Sequence, residues 1–598
     1  MSKRFLVTTA IEETIPQNEP ILFLGEWCRP FKNINKLDKL DAKVLPYHWD
    51  DRSKLHKDYS YISEFYEKLL IELTNQLNQI HGTDHKEKYW RILIGPWLGY
   101  FTQIVFDRWS SIQSAIKNFD LLGTYVQSFR EDLLVPNNMR HFSGLIKDEE
   151  WNHFIYSYIL KNYTKVPCSN QTTKYKGIGE KTVHQLRFNR IIKKKILDCI
   201  KLIMRNFQKK DDALMHNTYL SKKNQILLSL KLLQAPIPHT DEFLDKSNFK
   251  VEKEKRKWEL DGTNCNEFEA FARSIIPKQI PIIYLEGYDF LSKKVSSFSW
   301  PAKPKFIFTS NSFLADDLFK LYAAQKTENG YPLVISQHGG GYGSYLHCFN
   351  EKHGYKISDL FLSWGYTDKS EPKIKSVGLT KDKKPLGVQH ELQNRVLLVV
   401  GNGPNHSYHI WSAPKSSSQW IDYFNNQCTF VNSLNPQIQE LLIIRLKDMV
   451  EGYEPSYDRW RDKFPKLTID KGNSNIDNLI KKSKIYIGTI NSSTSVECFA
   501  LGIPVVIYWN PNQFEINDFA KVYFDKLKKV GVFHDTPESA ASHINLIWHD
   551  VNSWWDSEAV KDAVNLFKNK YCNESTKLVD QVYLKLEEII KNDKKDMS

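Results

Sequence analysis

Features that mark several common protein classes are missing from this 598-residue sequence. The eight cysteines are scattered and form no CxxC pair, so neither a zinc site nor a disulfide framework is indicated. No run approaches the roughly 18 apolar residues that a membrane-spanning helix needs. The opening MSKRFLVTTAIEETIP reaches Glu12 and Glu13 too early for a secretory signal and is typical of a strand that begins a domain. We therefore expect a soluble cytoplasmic protein.

A nucleic-acid-binding module is also missing, although the formal net charge is +12. The basic runs at 190–201, 251–259 and the C-terminal tail are mixed with apolar or acidic residues, which is typical of solvated helix faces. No aromatic RNA-recognition motif or zinc-bearing helix accompanies them. We predict no nucleic-acid partner, whereas an anionic substrate or an anionic membrane surface remains compatible with the charge.

What the chain does contain is an alternation of buried strands and helices, in a length that exceeds one hydrophobic core. This pattern predicts an α/β fold with two doubly wound, Rossmann-like domains that face a cleft. We predict N-terminal strands in 1–54, a large helical insertion in 55–235 and the remainder of the first α/β domain in 236–390. A linker at 381–393 leads to a second α/β domain in 391–540, and C-terminal helices in 541–598 pack back on the first domain.

The segment SQHGGGYGSYLH (336–347) follows the apolar run YPLVI, which is typical of a buried strand. Glycine permits positive φ and lets another group approach the backbone closely. Two interpretations compete: a sharp turn in which the histidine is only held in place, or the floor of a binding site. In the second, the candidates are His338 for the chemistry, Gly339 and Gly340 for the ligand, and secondarily Tyr342 and His347.

A second segment, KIYIGTINSSTSVECFALGIPVVIYW (484–509), predicts a strand, a hydroxyl-rich loop, a short helix and another strand. Hydroxyls and free N–H groups at a helix N-terminus favour a phosphate. An ordinary N-cap is the alternative, but it needs only one Ser or Thr. Glu497 is expected in the first turn of the helix, where it can accept hydrogen bonds from ribose hydroxyls. The loop candidates are Asn491, Ser492, Ser493, Thr494 and Ser495.

The NSSTSVECFALGIPVV pattern resembles the donor-binding element of GT-B glycosyltransferases, especially bacterial capsule Kdo transferases and CDP-glycerol glycerophosphotransferases. Those families also carry a His-Gly loop in the N-terminal half, which is similar to Gln337-His338-Gly339. The opening FLVTTAIEETIP and ILFLGEWCRP resemble a family of transferases from O-antigen and surface-polysaccharide gene clusters. The resemblance implies a GT-B-like fold with the nucleotide in the cleft.

One departure from the resemblance concerns the end of a strand in the second domain. Where related enzymes have a His-Pro dipeptide, the run LLIIRLKD carries Arg445, Lys447 and Asp448. Positive charge is kept and Arg can bind a phosphate bidentately, but a basic strand end in solvent explains it equally well. The glycine turn after RVLLVV is expected to approach the donor through Gly401, Asn402 and Gly403.

Glycosyl transfer also needs a base or a nucleophile, for which a carboxylate is the usual group. The loop after IPIIYL, interpreted as a strand, offers Glu286 and Asp289, and the motif GEWC offers Glu26. Caps of the following helices explain such residues equally well. No DxD motif is present, and the enzymes that the chain resembles generally need no bound metal, so we predict neither a metal nor a cofactor.

The resemblance implies a metal-independent glycosyltransferase that acts on a bacterial surface polysaccharide, such as the O-antigen of lipopolysaccharide, or on a lipid-linked acceptor. CMP-activated Kdo or a nonulosonic acid is the first donor hypothesis. A CDP-polyol phosphotransferase and a non-catalytic GT-B-like binding protein are the alternatives. The aromatic helical segments within 55–235 are compatible with core packing, with stacking on acceptor sugars, or with peripheral contact to the inner membrane.

Overall fold

The structure is a computed structural model, and it describes residues 3–127, 131–171, 207–237, 239, 244, 249–381, 394–413, 417–447, 452–453 and 456–596. The predicted linker, apart from Lys381, and the basic run 190–201 lie outside the described residues. Asp448 lies outside them as well.

The first sheet has five parallel strands in the order β3-β2-β1-β4-β5. Their bounds are β1 Arg4–Val7, β2 Ile21–Phe23, β3 Ala42–Val44, β4 Leu121–Gln127 and β5 Cys168–Gln171. The N-terminal strands were expected to join the sheet of residues 236–390, and this expectation is wrong. They pair instead with β4 and β5, which lie inside the segment predicted to be helical. The strand LLGTYVQ was missed in the sequence because it is only seven residues long and directly follows a long helical segment.

The second sheet has five parallel strands in the order β10-β9-β8-β7-β6. Their bounds are β6 Leu214–Met215, β7 Ile307–Thr309, β8 Leu333–Ser336, β9 Leu360–Ser363 and β10 Ile374–Ser376. The run IPIIYL, predicted to be a strand, is a 3-10 turn over Ile282–Tyr284. Its Ile282 and Ile283 N–H groups donate to the carbonyls of Pro136 and Asn137 at 2.8 and 2.9 Å, so no ladder forms there.

The third sheet has six parallel strands in the order β13-β12-β11-β14-β15-β16. Their bounds are β11 Arg395–Val399, β12 Leu442–Arg445, β13 Thr468–Asp470, β14 Ser483–Gly488, β15 Val505–Tyr508 and β16 Phe533–His534. The order reverses between β11 and β14, and such a reversal leaves a crevice at the carboxyl ends of the strands.

Helices cover the sheets and connect most of the parallel strands. Their bounds are Ile34–Leu37, Arg52–His81, Glu87–Asn118, Met139–Leu145, Glu149–Tyr163, Lys222–Lys231, Glu267–Gln279, Tyr288–Ser296, Ser312–Ala315, Asp317–Glu328, Phe349–Ile357, Ser417–Asn432, Pro436–Gln439, Ser456–Lys463, Ile476–Lys481, Ser493–Ala500, Asp518–Lys529, Pro537–Ile547, Val551–Asp556, Glu558–Tyr571 and Leu578–Asp596.

The two longest helices, Arg52–His81 and Glu87–Asn118, pack between the first and second sheets. One continuous hydrophobic core joins the first sheet, these helices and the second sheet. Trp90 and Trp97, from the aromatic stretch of helix Glu87–Asn118, are fully buried in it. Their role is therefore packing, in keeping with the large area that a buried indole removes from water. None of the helices in the described part of the chain is both long enough and apolar enough to cross a membrane.

The C-terminal helix Leu578–Asp596 packs on the second sheet, where Val582 and Leu586 contact the core around Val334 and Leu362. The predicted fold class is confirmed in its main feature: α/β halves built on parallel sheets face one another across a cleft. The N-terminal half contains two such sheets and the long helices between them.

Candidate functional site

A cleft of about 620 Å³ lies between the second and third sheets, at the carboxyl ends of their strands. Most of the residues that line it follow β8 in the second sheet and β11, β12 and β14 in the third, and Tyr100 comes from helix Glu87–Asn118. Parallel strands place their carboxyl ends on one edge, which explains why distant segments converge here. Eleven of the residues predicted from the sequence line this cleft: His338, Gly339, Gly340, Gly401, Asn402, Arg445, Lys447, Asn491, Ser492, Ser493 and Thr494.

The hydroxyl loop, residues 489–495, leads from β14 into helix Ser493–Ala500. Ser492 is the N-cap, and its Oγ accepts from the Ser495 N–H at 3.2 Å. Ser495 Oγ is buried beside the Tyr486 hydroxyl at 3.3 Å. The ordinary capping role is thus filled by Ser492, and Ser495 stays beneath the loop. Ser493 and Thr494 remain at the first turn of the helix, on the cleft side.

The glycine loop, residues 337–343, rests directly on the hydroxyl loop. The Gly340 N–H donates to Ser493 Oγ at 3.1 Å. A Cβ on Gly340 would lie 2.7 Å from the Ser492 carbonyl oxygen, so only glycine allows this approach. The sequence predicts that Gly339 and Gly340 contact the ligand. For Gly340 the structure gives a different reason, which is contact between the two halves of the protein.

Further hydrogen bonds join the two halves along the same seam. Asn491 Nδ2 donates to Ser344 Oγ at 2.9 Å, and the Tyr345 hydroxyl donates to the Asn491 carbonyl at 2.8 Å. The Asn517 N–H and Nδ2 donate to the carbonyls of Ser344 and Gly343 at 2.9 and 3.0 Å. The cleft is therefore closed along its floor by polar contacts between the halves.

His338 follows β8 and lies partly exposed on the cleft side of the glycine loop. Burial lowers its pKa to about 4, and the nearby positive charge of Lys381 acts in the same direction. A hydrogen bond to the Ser310 backbone opposes this shift. His338 is consequently neutral at pH 7, and the Tyr342 hydroxyl lies 3.4 Å from each of its two ring nitrogens. The Tyr342 ring lies edge-on at 5.0 Å.

The cations predicted for phosphate binding differ in their pairing. Arg445 forms an ion pair with Asp470 and also donates to the Gly472 carbonyl at 2.7 Å, so its charge is already compensated. Lys447 is exposed on the cleft wall. Burial lowers the pKa of Lys147, which approaches from the N-terminal half, and the charge of Lys447 acts in the same direction. Two like charges held near one another favour an anion between them.

Other predicted residues lie near the cleft but do not line it. Glu497 is the fifth residue of its helix and not in the first turn, because the helix begins at Ser493. Its carboxylate pairs with Lys381 at 3.2 Å. The Gly403 N–H donates to Asn402 Oδ1 at 2.9 Å and so shapes the glycine turn after β11.

None of the three predicted carboxylates lines the cleft. Glu286 is fully buried in a bidentate ion pair with Arg256, at 2.6 and 2.7 Å. Its expected place at a cleft-facing strand end is wrong because the strand does not exist there. Asp289 is exposed in the first turn of helix Tyr288–Ser296. Glu26 begins a 3-10 turn and pairs with Arg29 at 3.0 Å.

Of the secondary histidine-loop candidates, Tyr342 lines the cleft and His347 does not. His347 is 7% exposed and its Nε2 lies 2.6 Å from Nδ1 of His56 on helix Arg52–His81. Burial and the neighbouring charges lower the pKa of His347 to about 3. It therefore links the glycine loop to the N-terminal helices.

Sequence reasoning missed the aromatic wall of the cleft, which comes from both halves. The loop after β11, NHSYHIWSAP, supplies part of it, and its density of aromatic residues is a signal that the sequence does contain. The ring centroids of Tyr345 and Trp411 lie 5.4 Å apart in an edge-to-face arrangement across the halves. Such rings offer flat apolar surfaces to a base or a sugar. The wall consists of Tyr100, Tyr345, Tyr408, His409, Trp411, Trp420 and Tyr423.

A buried carboxylate beneath the glycine loop was also missed. Glu351 accepts from the Gly343 N–H at 2.7 Å and from the hydroxyls of Tyr355 and Tyr366. Burial raises its pKa to about 7, against the effect of these hydrogen bonds. It holds the loop from below and is shielded from the cleft. Among the described residues, no group of three or more His, Cys, Asp or Glu side chains is arranged to hold a metal ion.

Comparison with known proteins gives one match over nearly the whole chain. Residues 4–586 match the model of a family described as the LIC12162 family transferase. None of the curated proteins compared with the chain matches it.

Solved structures resemble the chain only loosely. MurG from Acinetobacter baumannii is 11% identical with a TM-score of 0.31, over 64% of this chain and 100% of that one. HepE from Anabaena, in complex with UDP-glucose, is 11% identical with a TM-score of 0.32, over 54% and 89%. The wall teichoic acid polymerase TagF is 10% identical with a TM-score of 0.27, over 52% and 85%.

Proposed function

The chain belongs to the LIC12162 family of transferases, and we propose that it transfers a sugar from a nucleotide donor bound in the cleft to a surface-polysaccharide or lipid-linked acceptor. The observation that carries this proposal is the meeting of two loops from opposite halves. His338 and the hydroxyl loop line the same cleft, and the Gly340–Ser493 hydrogen bond joins their loops at 3.1 Å. A donor held there contacts both halves at once.

The donor phosphate is proposed to bind at the N-terminus of helix Ser493–Ala500. Unpaired N–H groups and the helix dipole favour an anion at this position, and the hydroxyls of Ser493 and Thr494 add two donors. Lys447 follows β12 and lines the cleft, where it adds positive charge, and Lys147 of the N-terminal half lies close enough to be affected by that charge. The aromatic wall is proposed to hold the base.

His338 is proposed as the general base. A neutral imidazole has the lone pair that accepts the proton of the acceptor hydroxyl, although a pKa of about 4 makes it a weak base in the protein without ligand. The acceptor oxygen then forms the new bond to the anomeric carbon. The bond between that carbon and the phosphate oxygen breaks, and the nucleotide leaves with the electron pair. The helix N-terminus and Lys447 stabilise the negative charge that develops on the leaving phosphate.

CMP-activated Kdo or a nonulosonic acid is proposed as the donor, and the resemblance of the hydroxyl loop to that of capsule Kdo transferases supports it. The test is the thermal stability of the protein with CMP, CDP, UDP or GDP. A nucleotide at a hundredfold excess over its Kd stabilises the folded state by about 2.7 kcal/mol. CMP is expected to stabilise, Ser493→Ala to weaken the effect, and Ser296→Ala, an exposed serine on helix Tyr288–Ser296, to leave it unchanged. Stabilisation by UDP or GDP but not by CMP would contradict the donor and leave the cleft proposal standing.

Two alternatives are separated by following the donor itself. A CDP-polyol phosphotransferase releases CMP from CDP-glycerol, whereas the proposed enzyme releases CMP from a CMP-sugar. A non-catalytic binding protein hydrolyses neither, while many transferases slowly hydrolyse their donor without an acceptor. Release of CMP from CDP-glycerol alone would overturn sugar transfer in favour of attack at phosphorus.

A further inference from the structure

Within the described part of the chain, helix Lys222–Lys231 has a large exposed apolar face. Its inner face packs on the second sheet through Leu228 and Leu232, which are 0% and 6% exposed. The outer face presents four large aliphatic side chains within eight residues. Their exposed fractions are Ile226 46%, Leu227 40%, Leu230 58% and Leu233 80%. These are four of the seventeen large apolar side chains that are exposed in the described part of the chain, and such clustering marks an interaction surface.

Leu233 adds a conformational argument. It follows the C-cap residue Leu232 and adopts φ 55°, the left-handed conformation that favours Gly or Asn at this place. The turn is closed by the Gln234 N–H, which donates to the Ser229 carbonyl at 3.1 Å. The side chain of Leu233 is 80% exposed, so it contributes little to the packed core. Leu233 thus has a backbone conformation that is unfavourable for a bulky side chain, and its exposed side chain adds little to the stability of the fold.

The charge on this helix is of one sign. The sequence KKNQILLSLK contains three lysines and no acidic residue. Lys222 and Lys223 are exposed one turn before Ile226 and Leu227, on the same face. Lys231 pairs with Asp580 of the C-terminal helix at 2.8 Å, so its charge is partly compensated. The exposed leucines supply apolar area and the neighbouring lysines supply positive charge, the two contributions by which a surface helix binds an anionic membrane interface.

Helix Lys222–Lys231 lies close to the cleft. Tyr219 lies three residues before the helix, and its ring centroid is 6.3 Å from that of His338. A groove of about 770 Å³ runs between the helix and the C-terminal helix Leu578–Asp596 and reaches Lys381. Lys381 pairs with Glu497 on the helix that follows the hydroxyl loop. The exposed face and the cleft are therefore neighbours.

We propose that the outer face of helix Lys222–Lys231, together with Leu233, docks on an anionic lipid bilayer. The four aliphatic side chains enter the boundary between headgroups and acyl chains, and Lys222 and Lys223 contact the anionic headgroups. The docking itself does not depend on the proposed transfer reaction. If that reaction uses a lipid-linked acceptor, the docked protein presents its cleft to the membrane surface at His338.

The test is co-sedimentation of the full chain with vesicles of equal parts phosphatidylcholine and phosphatidylglycerol, and with vesicles of phosphatidylcholine alone. We expect binding to the anionic vesicles and at least tenfold weaker binding of the double variant L230S/L233S. Lys222→Gln with Lys223→Gln should lower the affinity for anionic vesicles about fivefold for each lysine and leave the weak binding to neutral vesicles unchanged. Leu546→Ser is the matched control, because Leu546 is 79% exposed on helix Pro537–Ile547.

Leu233→Gly is a second test, because it should change the melting temperature and the affinity for vesicles in opposite directions. Glycine relieves the left-handed strain, so the melting temperature should rise, while the affinity for anionic vesicles should fall. Loss of both stability and binding would show that Leu233 packs within the fold and would overturn its assigned role.

Three results would overturn the proposal as a whole. The first is a wild-type chain that does not sediment with anionic vesicles. The second is a L230S/L233S variant that binds as well as Leu546→Ser. The third is a change in oligomeric state of L230S/L233S with vesicle binding intact, which would assign the face to a second copy of the chain. Nucleotide binding, measured on the same variants, should stay unchanged, so failure of the docking and failure of the cleft proposal are distinguishable.

Discussion

Gly340→Ala tests how the two halves of the protein meet. The added Cβ would lie 2.7 Å from the Ser492 carbonyl oxygen and 2.9 Å from both the Ser492 carbonyl carbon and the Ser493 Cα. All three atoms belong to the backbone of the opposite half, so no side chain can rotate away. Relaxing 2.7 Å to an ordinary contact of 3.4 Å requires a separation of about 0.7 Å across the seam.

The free-energy cost of Gly340→Ala follows from that separation. Overpacking of this kind costs roughly 1–3 kcal/mol, and the hydrogen bond from Gly340 to Ser493 contributes on the order of 1 kcal/mol more. Because a donor that contacts both halves needs the closed cleft, the summed cost of about 2–4 kcal/mol should lower nucleotide affinity roughly thirtyfold to a thousandfold. Isothermal titration with the stabilising nucleotide measures it.

Gly339→Ala is the matched control, since its Cβ would meet only the Tyr342 ring, at 3.6 Å. Neither glycine has a positive φ, so strain does not separate them. If both variants bind nucleotide equally well, the contact between the halves does not govern binding. If Gly339→Ala is the more damaging, the glycines serve the ligand and the reasoning from the seam is refuted.

Four further predictions address single side chains. Ser493→Ala should raise the donor KM by the equivalent of about 1.5–3 kcal/mol with kcat little changed; an unchanged KM would remove Ser493 from the phosphate site. His338→Ala should lower kcat by roughly 10²–10⁴ while nucleotide binding stays normal; parallel loss of stability, affinity and turnover would make it a packing residue. Glu286→Gln should destabilise the protein by about 3–5 kcal/mol in urea unfolding, because Arg256 is left buried without its partner; lost turnover in a variant of unchanged stability would restore a catalytic role for Glu286. Glu351 has its pKa raised from 4.5 to about 7, so it binds its proton more tightly in the folded state, and its contribution to stability falls as pH rises from about 4.5 to 7. Glu351→Gln should therefore be the more stable form at pH 8, by up to about 3 kcal/mol, with no such gain at pH 4; a gain of equal size at both values would contradict the buried titration.

The segments that converge on the cleft could be predicted because each one joins a buried strand to a loop of unusual composition. YPLVI before the glycine loop and KIYIG before the hydroxyl loop are both strands, and both loops line the cleft. Parallel strands bring their carboxyl ends to one edge within each sheet, and the resemblance to two-domain GT-B enzymes predicts that the two edges face one another across the cleft.

What failed depended on contacts between segments far apart in the sequence. The apolar run before Glu286 reads as a strand, but its N–H groups bond to the carbonyls of Pro136 and Asn137, and the carboxylate meets Arg256. The spacing of apolar residues along the chain does not predict hydrogen-bond or ion-pair partners that are distant in sequence. Likewise the ion pair of Arg445 with Asp470 becomes visible only once β12 and β13 are side by side.

The reason for the glycines was also beyond the sequence. A run of three glycines indicates that some group approaches the backbone closely, but the sequence is the same whether that group is a ligand or another backbone segment. The position of Ser492 opposite Gly340 identifies the opposite half of the protein as that group.

A crystal structure of the protein with the nucleotide that stabilises it most, out of CMP, CDP, UDP and GDP, tests the central claim most directly. The phosphate is expected within hydrogen-bonding distance of Ser493 and Thr494, the base on the aromatic wall beside Trp411, and His338 on the open side of the phosphate. A nucleotide bound elsewhere, or one whose phosphate lies away from the hydroxyl loop, would contradict the assignment of this cleft as the donor site.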